Sequence, residues 1–411
     1  MSQYAPVHID VLFLYEKREK EQYSSQEISF QSRPVVYNQA KVPLCLSVHE
    51  YSEHIELILE YSVDLFNPET IENIAKHFVF LVGFLASDPD LDTNVQHIPL
   101  SESQQAAFIC CARAPQSHSI SVSNLMRDAA VAHPDALALV CGQQRFSYFE
   151  LHQQAAKLAG WMKEEGILAG QYVGICLSRN SDLIIAILAA FKADVTYVPI
   201  DPQYPVSIIH HLLEQTACQA VFVHKETAFD LPQNSQCRLV QLDEQRLQAD
   251  LSKTTPLDIN TDADPDKITH VIMTTGTTVT PKIVQIRQDS IIALIEWAQQ
   301  TYCYPNEKVL ASTPITFDLS VFEIVVSLCS GATVVLVDSI LAIVDQPVEV
   351  TSINTVPSAA RALLSSQGLP DSVTTLNLAG EALPPQLVDD IFQLSQVQSV
   401  FNLYGPSEDT T

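Results

Sequence analysis

"QYVGICLSRNSDLIIAILAAFKADVTYVPI", residues 171–200, decides how the chain is read. The apolar run "QYVGICL" is short enough for a buried strand. Residues 183–192 form an apolar stretch of helical length, and "TYVPI" is a second strand. A strand, a helix and a second strand within thirty residues define a βαβ unit, whose two strands lie parallel.

The rhythm extends in both directions. Upstream, "ALALVC" (136–141) is a short buried strand, and "SYFELHQQAAKLAGWMKEEG" is a helix opened by a Ser147/Glu150 capping box and closed at Gly166. Downstream come a helix after Pro205, the run "AVFVH", and then "HVIMTT", "KVLAST", "TVVLV", "VTSINTV", "TTLNLAG" and "SVFNLY". The fold class expected is α/β, with parallel or mixed sheets covered by helices. In such folds ligands collect beyond the carboxyl ends of the strands.

The first hundred residues have a different pattern. Leu44, Leu46 and Val48 alternate, as do Ile55, Leu57 and Leu59, which predicts a hairpin with one buried face. "NPETIENIAKHF" predicts a helix with Asn67 as N-cap, Pro68 at the first position and Ile71, Ile74, Ala75 and Phe78 on the face that covers the hairpin. "PLSESQQAAFICCARAPQSHS" (99–119) reads as a linker. The division is therefore 1–98, a linker over 99–119, and 120–411.

The net charge of −26, from 22 basic and 48 acidic residues, argues against nucleic acid and anionic membrane as partners. Nine cysteines without a C-x-x-C pair suit buried free thiols rather than a disulfide or metal framework. The N-terminus lacks the features of a signal peptide, and "LIIAILAAF" is too short to cross a bilayer, so the expected location is cytoplasmic.

Four polar stretches follow strands. "MTTGTTVTPKIVQ" (273–285) has the threonines, glycine and lysine of a phosphate loop, but its spacing is not that of a Walker A loop and suits a solvated turn equally. "FDLSVFE" (317–323) puts Asp318 in an apolar segment, where it needs a cationic partner: a ligand ammonium, an arginine or a helix terminus. "NLYGPSEDTT" (402–411) offers an aromatic face at Tyr404, and Ser407 and Glu408 suit phosphate and a hard cation. "NLAGEALP" (377–384) adds a glycine turn. His210 and His211 lie in a leucine-rich helical pattern and read as ordinary helix surface.

Taken in order, "FSYFELHQQAAKLA", "FKADVTYVPIDPQYP", "TTGTTVTPK", "FDLSVFE", "NLAGEAL" and "NLYGPSED" resemble the adenylation domain of nonribosomal peptide synthetases, of the adenylate-forming superfamily. Residues 1–98 look like the C-terminal end of a condensation domain without the half that carries its histidine motif; Gln215 and Thr216 prevent His210–His211 from replacing it. The resemblance implies ATP and Mg²⁺, an amino acid substrate, and as partner a carrier-protein domain or a complementing synthetase chain. It places Thr274, Thr275, Gly276, Thr277, Thr278 and Lys282 over the triphosphate. Asn402, Tyr404 and Gly405 would stand on one side of adenine and Gly380, Glu381 and Ala382 on the other. Ser407 would touch the α-phosphate, Glu408 would hold Mg²⁺, and Asp318 would pair with the substrate ammonium. Leu319, Phe322, Asn354, Asn377, Ala379, Leu403 and Thr411 would form the side-chain pocket, read as suited to alanine or glycine.

Three departures accompany the resemblance. Val279 and Ile283 stand where the family's loop has glycine, and Asp194–Val195 replaces a glycine pair; forcing such residues to positive φ costs about 1–3 kcal/mol. Eleven glycines in 411 residues is few against a usual ~7%. The chain ends at Thr411, before the family's ribose aspartate and lid lysine; each lost contact of that kind costs about 10²–10³-fold in rate, so a truncated and catalytically silent fragment is the competing expectation. An acyl-CoA ligase fits less well, because Asp318 suits an amino acid.

Overall fold

A computed structural model of the chain describes residues 10–18, 22–24, 29–31, 40–87, 120–232, 235–257, 264–274, 282–302 and 307–410. The linker expected over 99–119, most of the threonine loop (275–281, with Val279) and Thr411 lie outside these residues. Two compact units divide the chain at Ala114/Pro115.

In the first unit, strand Leu44–Glu50 lies between Val11–Lys17, parallel, and Ile55–Tyr61, antiparallel. The hairpin is as expected, but its burial is not. Cys45 and Val48 are buried, whereas Ile55 is 62% exposed and Leu57 and Ile58 are exposed too. Helix Pro68–Ser87 buries only Ile71 and leaves Ile74 exposed, so it covers the hairpin in part. Alternation sets which residues share a face; burial of that face needs a partner.

The second unit carries two sheets where the sequence rhythm suggested one continuous alternation. The six-stranded sheet runs Arg238–Gln241, Ala220–Val223, Tyr172–Cys176, Thr196–Pro199, Ile268–Thr274, Lys282–Arg287, and is parallel except for the last pair. The seven-stranded sheet runs Ser399–Asn402, Thr375–Leu378, Ser352–Thr355, Lys308–Ala311, Thr333–Leu336, Leu137–Cys141, Gln144–Ser147, again parallel except for the last pair.

Helices Tyr148–Glu164 and Ser181–Ala193 share one core with strands of both sheets. Ser181–Ala193 is apolar nearly all round, as a helix covered on every side must be. The capping box of Tyr148–Glu164 is present: Glu150 N donates to Ser147 Oγ at 3.2 Å, and Ser147 N donates to Glu150 Oε2 at 2.9 Å. Helices Pro357–Ser365 and Pro385–Leu394 pack on the outer face of the seven-stranded sheet, and Val206–Thr216 packs on that of the six-stranded sheet.

Both glycine replacements that fall in the described residues are accommodated. Ile283 is an ordinary strand residue paired with Met273, so the expected strain there is absent. Asp194 does adopt the left-handed conformation, at φ 62°, as the C-cap residue directly after helix Ser181–Ala193. Its carboxylate forms an ion pair with the largely buried Lys267 ammonium, and its carbonyl accepts from Gly170 N at 2.9 Å. Aspartate is among the few L residues that take this conformation readily.

Candidate functional site

Beyond the carboxyl ends of five neighbouring strands of the seven-stranded sheet lies a cavity of about 880 Å³. Ser312, Thr313 and Pro314 follow strand Lys308–Ala311, and Val356 follows Ser352–Thr355. The turn from Ala379 to Leu383 follows Thr375–Leu378, Leu403–Tyr404–Gly405 follow Ser399–Asn402, and Ile340 comes after Thr333–Leu336.

Gly380, Glu381, Ala382, Asn402, Tyr404, Gly405 and Ser407 all line this cavity, together with Asp318, Leu319, Asn354, Ala379 and Leu403. Tyr404 is 96% exposed, and Phe317 on the same cavity is 60% exposed, so two aromatic faces stand open at its mouth. Gly380 has φ 79°, a conformation that lets the "NLAGEAL" turn close next to Val356.

Asp318 opens a short helical segment. Its Oδ1 accepts from Leu319 N at 2.7 Å, and its Oδ2 accepts from Ser407 Oγ at 2.5 Å, across 89 residues of chain. The helix that follows contains a π-helical turn at Phe322–Val326, between Leu319–Val321 and Ser327–Cys329. Such turns recur at functional sites, where they re-aim side chains.

Some expected residues stand elsewhere. Phe322 does not reach the cavity; it is buried against Tyr302 and Trp297, with ring centroids 5.5 and 6.5 Å away. Asn377, opposite Asn354 on the neighbouring strand, does not line the cavity: its Nδ2 donates to Asn354 Oδ1 at 2.6 Å, leaving Asn354 Nδ2 and Asn377 Oδ1 without partners. Glu381 has a bond of its own, accepting from Ser358 N at 3.0 Å and Ser358 Oγ at 2.8 Å, and so caps helix Pro357–Ser365, whose N-cap Val356 has no side-chain acceptor.

Thr274 and Lys282 pair across the base of the threonine loop, outside the cavity lining. Glu408 is exposed in the turn Ser407–Asp409, and that turn touches strand Lys282–Arg287. No cluster of three or more His, Cys, Asp or Glu suited to a metal occurs among the described residues. His210 sits on helix Val206–Thr216 and bonds the Asp230 carbonyl at 2.7 Å, a structural contact.

Two site-building residues escaped the sequence reading. Glu323 is fully buried and accepts at Oε2 from Ser312 N and Thr313 N, both at 3.0 Å, and at Oε1 from Thr313 Oγ at 2.8 Å. Burial pushes its carboxyl up to about 7, against the pull of those donors and of Arg179. Arg179 follows strand Tyr172–Cys176 and donates to Val337 O at 2.7 Å, Thr313 O at 2.8 Å and Ala311 O at 2.8 Å. Burial lowers its pKa, and Glu323, Asp338 and Cys141 oppose that. The sequence signals were present: an acid closing "FDLSVFE" and an arginine in the loop after a strand.

Two helix-covered sheets with a cavity beyond the strand ends of the seven-stranded one have the fold of the N-terminal core of adenylate-forming enzymes. The chain belongs to the AMP-binding enzyme family, matched over residues 126–411. It is 33% identical over 377 residues to one of the linear gramicidin synthase proteins of Brevibacillus parabrevis, covering 90% of this chain and 7% of that one. With another protein of the same synthase it is 39% identical over 300 residues, 72% of this chain and 6% of the relative. The chain thus spans less than a tenth of the length of either. Among solved structures, the nonribosomal peptide synthetase FmoA3 shares the fold at TM-score 0.69 and 21% identity, covering 93% of this chain and 41% of that one. The Klebsiella oxytoca NpsA N-terminal subdomain, in complex with 3-hydroxybenzoyl-AMSN, does so at 0.62 and 21%, covering 71% and 74%. Among the described residues no helix is long and apolar enough to cross a membrane.

Proposed function

We propose that the chain activates an amino acid for nonribosomal peptide assembly: the substrate carboxylate attacks the α-phosphate of ATP, forming aminoacyl-AMP and releasing pyrophosphate. The observation that carries this reading is the Ser407–Asp318 bond at 2.5 Å in a cavity lined by both glycine-bearing turns. An ammonium and an α-phosphate are close neighbours in an aminoacyl adenylate. In this reading the ligand exchanges one bond for two: its ammonium takes Asp318, and its phosphate takes the Ser407 hydroxyl.

Of the two carboxylates lining the cavity among the described residues, Glu381 is engaged by Ser358, which leaves Asp318 for a cation. Adenine lies between Tyr404, Asn402 and Gly405 on one side and the 380–382 turn on the other. Thr274 and Lys282 serve the triphosphate end of the nucleotide. Mg²⁺ held mainly by phosphate oxygens and waters needs only one or two protein carboxylates, so the exposed Glu408, in a turn beside strand Lys282–Arg287, fits it. The metal, when bound, neutralises phosphate charge.

A small side chain, alanine or glycine, suits a floor made of Leu319, Ala379, Leu403 and Asn354. The unpartnered Asn354 Nδ2 is then met by water, for which a small side chain leaves room. Residues 1–98 read as the end of a condensation domain, and a carrier-protein domain or complementing synthetase chain is the partner this function needs.

Titration calorimetry with Mg-ATP tests the proposal. Saturable binding is expected, strengthened by alanine or glycine and not by leucine; Asp318→Ala removes that strengthening and keeps the nucleotide. A folded sample that binds no Mg-ATP sinks the proposal, and strengthening by leucine alone sinks the substrate class.

A further inference from the structure

Thr313 is held from two sides by charges that form no ion pair with each other. Its N–H and hydroxyl are bound by Glu323, which lies on the helix carrying the π turn. Its carbonyl is bound by Arg179, which comes from the other sheet. Ser312 N shares the glutamate, and Ala311 O and Val337 O share the guanidinium. Ser312 and Thr313 are themselves wall residues of the cavity, five or six positions before Asp318.

Burying a carboxylate fully and a guanidinium in part is costly, and an apolar pair of similar volume often stabilises a fold as well or better. Space-filling alone therefore does not account for them. What an apolar pair lacks is the ability to accept from two consecutive backbone N–H groups on one side of a loop while donating to the carbonyl on the other. That arrangement removes the loop's freedom to rotate its peptide planes.

We propose that Glu323 and Arg179 are positioning residues that fix the Ser312–Thr313 wall of the cavity in its ligand-binding shape. Neither touches the ligand; both act through the peptide groups they hold. The proposal rests on the adenylation reading only for the identity of the ligand, and the grip on the wall is testable without one.

The test uses the full chain and reads two quantities: hydrogen exchange at the Ser312 and Thr313 amides, and Mg-ATP affinity by calorimetry. Glu323→Met, of similar volume but without an acceptor, is expected to speed exchange at both amides and weaken Mg-ATP about tenfold, as for the loss of a buried acceptor. Strand Ala220–Val223 serves as control, with its exchange unchanged. Glu323→Gln is expected to restore both readouts, because its amide oxygen can accept the two N–H groups while its amide nitrogen donates to Thr313 Oγ. Methionine performing as well as glutamine in both readouts overturns the proposal.

If Glu323→Met does not fold, Arg179→Lys probes the other side. A single ammonium cannot reach three carbonyls in a fork, so faster exchange at Thr313 and weaker Mg-ATP are expected; wild-type values in both overturn the proposal. If the wild-type chain binds no Mg-ATP, the adenylation reading falls, and the exchange comparison decides the positioning role by itself.

Discussion

Glu323 carries a proton further up the pH scale than a free glutamate does, and this has a sign. Its carboxyl is raised from 4.5 to about 7, chiefly by burial. Between these values the native state holds a proton that the unfolded state has released, so its contribution to stability improves as pH falls through that window and is least favourable above about 7. Glu323→Gln removes the charge and keeps the acceptor. Its melting temperature is expected to gain most on the wild type at pH 8, with the gain shrinking toward pH 5; a difference independent of pH contradicts the burial account. Asp318, by contrast, was legible in the sequence, because an acid flanked by Phe317 and Leu319 demands a partner. Its partner Ser407 was not, because 89 residues separate them. Likewise Arg179 and Ala311 meet across 132 residues, and no local pattern announces such a meeting.

Among the elements, the βαβ segment at 171–200 and the helix opened by "SYFE" were readable because their signals are local: apolar runs of fixed length and a capping box of fixed spacing. The box has a measurable value. Ser147→Ala removes the acceptor for Glu150 N, and a loss of ~1 kcal/mol in urea unfolding is expected, with an unchanged m-value. A loss below a few tenths of a kcal/mol indicates that core packing alone holds the N-terminus of helix Tyr148–Glu164. The hairpin of the first unit shows the limit of local signals, since alternation predicted the hairpin correctly and its burial wrongly. The π turn at Phe322–Val326 has no sequence signature of its own, and Phe322, its first residue, packs on Tyr302 rather than lining the cavity.

For the whole molecule, strand order was hidden because crossovers, not neighbours in sequence, decide it. Strand Leu137–Cys141, early in the second unit, pairs with Thr333–Leu336 far downstream. Every described residue of the cavity nevertheless lies in the unit 115–411. That unit produced alone is expected to melt cooperatively and to bind Mg-ATP within about threefold of the full chain, a difference under 1 kcal/mol. A loss of folding or a much weaker site makes the first unit part of the functional body. The manner in which Arg179 ties the sheets also bears on how such a protein ages in evolution. All three of its acceptors are main-chain carbonyls, so substitutions at positions 311, 313 and 337 leave those oxygens in the chain whatever side chain arrives. The donor has no such protection: one codon carries all three hydrogen bonds, and a neutral walk through the opposing strands offers no replacement for it.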